Sequence, residues 1–167
     1  MTSQSAGPLP VNSTAPDFSL PKGDGQLGAD PSTFWHLADE RGKNVILAFY
    51  PADWSPVCGS QIALYNELIP TFAEYNAEVI GISVDGTFCH KAFKEHNNLS
   101  IELLCDFEPK GKTAKLYSAY NEQLGLCERA IYVIDAQGII RYSYISPMGV
   151  NPGAKEILET LQEIQHA

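Results

Sequence analysis

One cysteine stands where redox or nucleophilic chemistry could be carried out. An apolar run over 45–50 stops at Pro51, and Cys58 opens the next stretch, in which apolar residues recur with helical spacing. Unpaired amides and the positive end of a helix dipole lower the pKa of a thiol there, which raises the fraction of reactive thiolate. A free cysteine is more often a small buried hydrophobe. Its position nevertheless makes Cys58 the candidate nucleophile.

Ser55 and Pro56 predict where this helix begins. A serine at the N-cap accepts a hydrogen bond from an orphan amide, and a proline at the first helical position sacrifices no helical bond. The apolar face continues through Ile62, Tyr65, Leu68, Ile69 and Phe72. We therefore expect a helix from about residue 56 into the mid-seventies, kinked at Pro70, with Cys58 in its first turn.

The elements around this junction predict an α/β fold. The run over 45–50 is apolar on both faces, as a central parallel strand would be, and 78–84 is a second such strand. A strand, a helix and a second strand in this order imply a right-handed parallel crossover. Further along the chain we expect a helix over 87–96, a strand over 101–105 and a helix over 112–120.

The last part of the chain predicts an antiparallel addition to the sheet. Apolar runs over 129–134 and 139–144 are separated by a turn too short for a crossover, so they form a hairpin. Apolar residues then recur on one face over 154–165, which predicts a closing helix. The expected architecture is a central mixed sheet flanked by helices.

The motif Pro51-x-x-x-Ser55-x-x-Cys58 resembles the active-site signature of the peroxiredoxins, the alkyl hydroperoxide reductase and thiol-specific antioxidant family. Segments 15–20 (APDFSL) and 129–135 (RAIYVID) resemble that family at matching positions. Within the family the chain is similar to the bacterial alkyl hydroperoxide reductase E and bacterioferritin-comigratory branches, and segment 106–111 (DFEPKG) resembles the first of these. The resemblance implies a thioredoxin-like fold with N-terminal additions. We expect a single domain over 15–167 after a flexible tail over 1–14.

The resemblance also implies a role for each residue of the site. Cys58 would be the peroxidatic cysteine, Ser55 would bond the peroxide and the thiolate, Pro51 would shield the pocket, and Arg129 would be the cation beside the sulfur. Donors aimed at the breaking O–O bond stabilise charge that develops only in the transition state. The implied activity is thiol-dependent reduction of hydrogen peroxide and organic hydroperoxides, with no cofactor and no metal. Many members carry an acid where this chain has Gln61, which contributes no charge.

The sequence does not identify the thiol that reduces the oxidised cysteine. A sulfenic acid must condense with a second thiol before it is oxidised further. Some relatives carry that cysteine where this chain has Ala63, and others carry it near the C-terminus, where this chain has none after Cys127. Cys89, Cys127 or an external thiol could resolve it. Cys105 is expected to be a buried core thiol, and His90 to be solvated.

Composition limits the partners. A net charge of −9 with no basic cluster argues against nucleic acid, and no apolar run is long enough for a membrane span. We expect a cytoplasmic protein, a monomer or a homodimer, that takes a hydroperoxide and a thioredoxin-, glutaredoxin- or low-molecular-weight-thiol-type reductant. The chain lacks the second cysteine of a thioredoxin-type disulfide reductase, and its motif fits a glutathione peroxidase less well. The alternative is a non-catalytic thioredoxin-like binding or chaperone module, in which Cys58 would react slowly.

Overall fold

A computed structural model of the protein describes residues 7–167. The strands are β1 (Ser19–Leu20), β2 (Trp35–His36), β3 (Asn44–Phe49), β4 (Ala77–Ser83), β5 (Glu102–Cys105), β6 (Tyr120–Asn121), β7 (Leu126–Cys127), β8 (Arg129–Ile134) and β9 (Ile140–Ser146). The α-helices are α1 (Pro56–Glu67), α2 (Ile69–Glu74), α3 (Thr87–Asn97), α4 (Lys112–Leu116) and α5 (Lys155–Gln165). Short 3-10 turns cover Pro31–Thr33 and Leu37–Glu40.

The main sheet has five strands in the order β5-β4-β3-β8-β9. β3 pairs in parallel with β4 and antiparallel with β8, and all six of its residues are buried. The predicted central strand, the parallel crossover and the β8–β9 hairpin are therefore confirmed. Because β3 is enclosed on both sides, the loop that follows it is supported from two directions.

Alternate residues of β3 point into two separate cores. Val45, Leu47 and Phe49 pack with the N-terminal segment and α4, and we call this cluster the N-terminal core. Ile46, Ala48 and Tyr50 pack with α1 and α5 on the opposite face, and we call this cluster the α5 core. Successive side chains of a strand point to opposite faces, so the sheet separates the two cores. Cys58 belongs to the α5 core.

Two helices differ from the prediction. The long helix expected from residue 56 is two helices, because Pro70 in the first turn of α2 has no N–H to donate to the ladder of α1. The helix expected over 112–120 ends at Leu116, since Ser118 adopts the left-handed conformation with φ of 53°. The small β6–β7 hairpin that follows was not predicted.

The start of the described chain is bonded to the β8–β9 hairpin. The amide of Leu9 donates to Tyr132 Oη at 3.0 Å, and the amide of Asn12 donates to the Ile140 carbonyl at 2.7 Å. Thr14 forms a bridge with Ile139. Positions 1–6 of the expected tail lie outside the described residues, whereas its remainder is attached to the sheet from Leu9 onward. No helix within residues 7–167 is long and apolar enough to cross a membrane.

Candidate active site

The junction between β3 and α1 positions Cys58. Ser55 is the N-cap of α1 with extended backbone angles, and its Oγ accepts a hydrogen bond from the Cys58 amide at 3.3 Å. Pro56 is the first helical residue, so the predicted helix start is confirmed. Cys58 therefore lies in the first turn, close to the amides that α1 leaves unpaired. Its side chain has no accessible surface, so an oxidant must displace neighbouring atoms to reach the sulfur.

Arg129 brings a cation to this sulfur from the neighbouring strand. It is the first residue of β8, and β8 runs antiparallel to β3, so it lies at the edge of the sheet where β3 ends. Its Nη1 donates to Cys58 Sγ at 3.4 Å, although the two residues are 71 positions apart. The guanidinium is buried, with 2% of the residue exposed. The structure thus brings together the residues that the motif resemblance paired.

The other donors of Arg129 are bound to neutral oxygens. Nη1 also donates to Gln61 Oε1 at 2.8 Å, while Nε and Nη2 donate to the Met148 carbonyl at 3.1 and 2.8 Å. None of the ion pairs found within residues 7–167 includes Arg129. A buried charge without a counter-charge is costly. The side chain of Cys58 is the ionisable group in hydrogen-bond contact with this cation.

Gln61 continues the hydrogen bonds away from the sulfur. Its Nε2 donates to Tyr65 Oη at 3.2 Å, and Tyr65 Oη donates to the Gly153 carbonyl at 2.9 Å. Burial raises the pKa of Tyr65 to about 12, so the phenol keeps its proton and remains a donor. The sequence analysis singled out Gln61 only for its missing charge. Its spacing of four from Tyr65 on one helix was the signal that they bond.

Ser55 and Pro51 lie on the loop between β3 and α1 that leads to Cys58. Pro51 is buried, and Ser55 is half-buried. The Ser55 oxygen accepts a bond from Cys58, but no hydrogen bond within residues 7–167 uses the Ser55 hydroxyl proton. That proton is therefore available to a ligand beside the sulfur.

A second group of polar residues lies behind the same loop. Asp53 Oδ2 is 2.7 Å from His90 Nδ1, Asp53 Oδ1 accepts from Tyr50 Oη at 2.6 Å, and the Asp53 amide donates to Asp85 Oδ2 at 2.8 Å. The prediction that His90 is solvated is wrong, since its side chain is completely buried. His90 lies three positions before buried Phe93 on α3, and this spacing was the signal that was missed.

Asp53, Asp85 and His90 are of residue types that can bind a metal ion. One donor atom from each lies within 4.8 Å of the others. Those atoms are engaged in hydrogen bonds with one another or with neighbouring groups. We assign no metal to them.

The other thiols lie in different surroundings. Cys89 is in the first turn of α3, where its Sγ lies 3.8 Å from Asp85 Oδ1. Desolvation, followed by the charges of Asp85 and Asp53, raises the pKa of Cys89 to about 12. Cys127 is buried in the N-terminal core, and that burial raises its pKa well above the usual range. The sheet therefore lies between Cys127 and Cys58. Cys105 is buried, as predicted.

Comparisons with known proteins agree with this geometry. Residues 11–143 match the model of the AhpC/TSA family. Peroxiredoxin-1 of Gallus gallus is 34% identical over 96% of this chain and 82% of its own length. Alkyl hydroperoxide reductase E of Mycobacterium tuberculosis is 32% identical over 84% of this chain and 88% of its own length. A putative peroxiredoxin of Entamoeba histolytica is 34% identical over 77% of this chain, which spans 58% of that protein.

Solved structures extend the likeness to the fold. AhpC of Enterococcus faecalis superposes with a TM-score of 0.82 at 27% identity, over 93% of this chain and 92% of that one. The reduced 2-Cys peroxiredoxin of Plasmodium vivax gives a TM-score of 0.82 at 30% identity, over 93% and 82% of the two chains. The thioredoxin-like fold that the motifs implied is confirmed.

Fold and site together define a thiol-dependent peroxidase. More particularly, the chain belongs to the AhpC/TSA family, the peroxiredoxins, as its motifs implied. Its substrate is accordingly a peroxide and its reductant a thiol. None of these comparisons favours the alternative of a non-catalytic binding or chaperone module.

Proposed function

We propose that Cys58 is the peroxidatic cysteine and that it reduces hydrogen peroxide and organic hydroperoxides. The observation that carries this assignment is the 3.4 Å contact between Arg129 Nη1 and Cys58 Sγ, made by a buried cation that has no carboxylate partner among residues 7–167. The Cys58 thiolate attacks one peroxide oxygen, so that an S–O bond forms and the O–O bond breaks. Cys58 is oxidised by two electrons to a sulfenic acid, and the departing oxygen takes up a proton to leave as water or an alcohol.

Ser55, Arg129 and Pro51 assist this step in different ways. The unused hydroxyl proton of Ser55 and the guanidinium of Arg129 stabilise the negative charge that develops on the departing oxygen. A donor of this kind contributes about 2.7–4 kcal/mol to lowering a barrier. The buried Pro51 ring keeps water from the sulfur. This arrangement requires no cofactor.

Recycling is assigned to an external thiol. A condensing thiol must reach the sulfur as a thiolate, and the raised pKa of about 12 makes Cys89 almost entirely protonated at neutral pH. Cys127 is on the other side of the sheet, so a bond to Cys58 would require large rearrangement. An incoming thiol condenses with the sulfenic acid and releases water, and a second thiol then releases Cys58. Cys89 remains the second candidate, because it lies on the same edge of the sheet as Cys58.

The reductant is a thioredoxin, a glutaredoxin or a low-molecular-weight thiol. The four cysteines are free, which supports a reducing, cytoplasmic setting. The protein acts as a monomer or a homodimer.

The test is the intact mass after one equivalent of hydrogen peroxide under denaturing, thiol-blocking conditions. Wild type, Cys58→Ser and Cys89→Ser are compared, and Cys89→Ser is the matched control because both cysteines lie in the first turn of a helix. We expect addition of one oxygen in wild type and Cys89→Ser, and none in Cys58→Ser. Loss of two blockable thiols in wild type, absent in both variants, would show that Cys89 and not an external thiol condenses with the sulfenic acid. An unreactive Cys58 would refute the assignment of the site.

A further inference from the structure

Both ring nitrogens of His90 face hydrogen-bond acceptors. Nδ1 is 2.7 Å from Asp53 Oδ2, and Nε2 is 3.0 Å from the Leu104 carbonyl oxygen. The Leu104 carbonyl can only accept, so Nε2 carries a hydrogen, and one proton on Nδ1 or on the carboxyl completes the contact with Asp53. The ring has no exposed surface. Its orientation is therefore fixed by bonds at both nitrogens.

The carboxylate of Asp53 is equally committed. Its two oxygens are bonded to His90 and to Tyr50 Oη, while its amide is bonded to Asp85 Oδ2. Burial raises the pKa of Tyr50 well above its usual value, so the phenol remains a donor. Asp53 is therefore fixed by contacts to three residues, two of which, His90 and Asp85, come from other parts of the chain. It stands two residues after Pro51 and two before Ser55, in the middle of the loop that carries both.

The residue after Asp53 is held in a strained conformation. Trp54 has a φ of +71°, in the left-handed region that a bulky side chain avoids. Such a conformation persists only where its neighbours fix it. Half of the Trp54 side chain is exposed, and its ring contacts Phe93 and His96 of α3. The contacts of Asp53 are the buried ones that can hold the loop in this form.

His90 is tightly enclosed. Gly23 packs so closely that a Cβ there would lie 2.4 Å from His90 Cβ. The carboxylate of Asp53 is the acidic group in direct contact with the ring.

We propose that Asp53 and His90 form a positioning pair, which fixes the loop over 51–55 so that Pro51 and Ser55 meet the peroxide at Cys58. Neither residue touches the reacting atoms. The pair acts through the loop, and neither residue is one of the named positions of the motif. This inference rests on the proposed role of Cys58.

The test compares two reactions of Cys58 in Asp53→Asn. Reduction of hydrogen peroxide requires the thiolate together with correctly placed Ser55 and Pro51, whereas alkylation by iodoacetamide requires only the thiolate. We expect the rate constant with hydrogen peroxide to fall about ten- to a hundredfold, as for a misplaced catalytic group. Alkylation at the same pH should change less than about twofold. Equal falls in both rates, or no fall in either, would overturn the pair as a positioning device.

A neutral pair provides the rescue. In Asp53→Asn/His90→Gln the two amides can bond each other without charge, so the peroxide rate should exceed that of each single variant. His36→Gln is the matched control, since His36 also bonds a carbonyl oxygen, that of Pro31 at 2.8 Å, but stands away from the site. We expect wild-type rates for it. A double variant no faster than the slower single variant would contradict the proposal.

Should Asp53→Asn fail to fold, the ratio of the two rates in His90→Gln decides. The peroxide rate should fall while the alkylation rate stays within about twofold of wild type. Failure of wild type to reduce peroxide would instead count against the role of Cys58.

Discussion

Cys58 and Cys89 occupy equivalent places in the fold and have opposite surroundings. Each is the third residue of a helix that follows one of the two parallel strands β3 and β4. Cys58 is contacted by the guanidinium of Arg129, whereas Cys89 lies beside the carboxylate of Asp85. The caps differ as well, because Ser55 bonds the Cys58 amide and Gly86 has no side chain that could do the same for Cys89.

Comparing these two cysteines separates the effect of the helix N-terminus on a thiol from the effect of neighbouring charged side chains. A helix N-terminus stabilises an anion by about 0.3–1 kcal/mol at ordinary surface sites. Both cysteines have that contribution, yet the pKa of Cys89 is raised to about 12 by desolvation and two carboxylates. The position of a cysteine in a first turn is therefore insufficient for reactivity. The residue that approaches from another element decides the outcome.

Removing the cation should have the largest effect on this contrast. We expect Arg129→Met to lower the rate constant of Cys58 with hydrogen peroxide about 10²- to 10³-fold, the loss typical of one transition-state donor. Stopped-flow kinetics measures it. Arg141→Met is the control, because Arg141 is an arginine of the adjacent strand that pairs with Asp135 instead. A fall smaller than about tenfold would mean that α1 alone activates the thiol.

Removing a carboxylate should bring Cys89 closer to Cys58 in behaviour. In Cys58→Ser/Asp85→Asn we expect the pKa of Cys89 to fall below about 12, by on the order of one unit, because the like charge is lost while desolvation remains. The thiolate fraction at a given alkaline pH should rise accordingly. The rate of alkylation of Cys89 against pH, followed by peptide mass, measures this shift. Asp39→Asn, at an exposed and remote position, should leave the pH dependence of Cys89 alkylation unchanged.

Adding a carboxylate should make Cys58 more like Cys89. Gln61→Glu places an anion against Arg129 Nη1, where it competes with the thiolate for the same cation. We expect the peroxide rate to fall about three- to tenfold, equivalent to about 1 kcal/mol, because the added carboxylate competes with the sulfur for Nη1. Gln123→Glu, far along the chain, is the control, and an unchanged or higher rate in Gln61→Glu would contradict the argument.

The smallest effect is expected at Cys89 itself. With its thiol protonated at neutral pH, Cys89→Ser should leave the first oxidation of Cys58 within about twofold of wild type, as for other substitutions away from the reacting atoms. The rate of sulfenic acid formation, trapped with dimedone, tests this expectation. A tenfold change would tie Cys89 to the reacting sulfur.

The sequence predicts the local part of the site well. The cap, the proline and the apolar period are all close in sequence to Cys58, so the start of α1 was predicted correctly. The contact of Cys58 with Arg129 spans 71 positions, and it was reached through the family motif rather than through physical chemistry.

What was missed depends on partners from other elements. His90 is polar and lies on the buried face of α3, and nothing in its own segment shows that Asp53 would bond it there. Gly23 could not be identified as a site of close approach, because its neighbour is the side chain of His90. The end of α4 was missed since Ser118 carries no strong helix-breaking signal.

The loop between β9 and α5 holds the cation and the Gln61–Tyr65 chain entirely through backbone oxygens, those of Met148 and Gly153. The identity of the side chain at 148 is therefore nearly irrelevant to the placement of Arg129, while the path of the backbone is decisive. Such a loop can vary in sequence at position 148, although the φ of +70° at Gly153 favours glycine there, and its length is constrained throughout. Substitution of Met148 should therefore matter little, whereas deletion of one residue from the loop should displace Arg129.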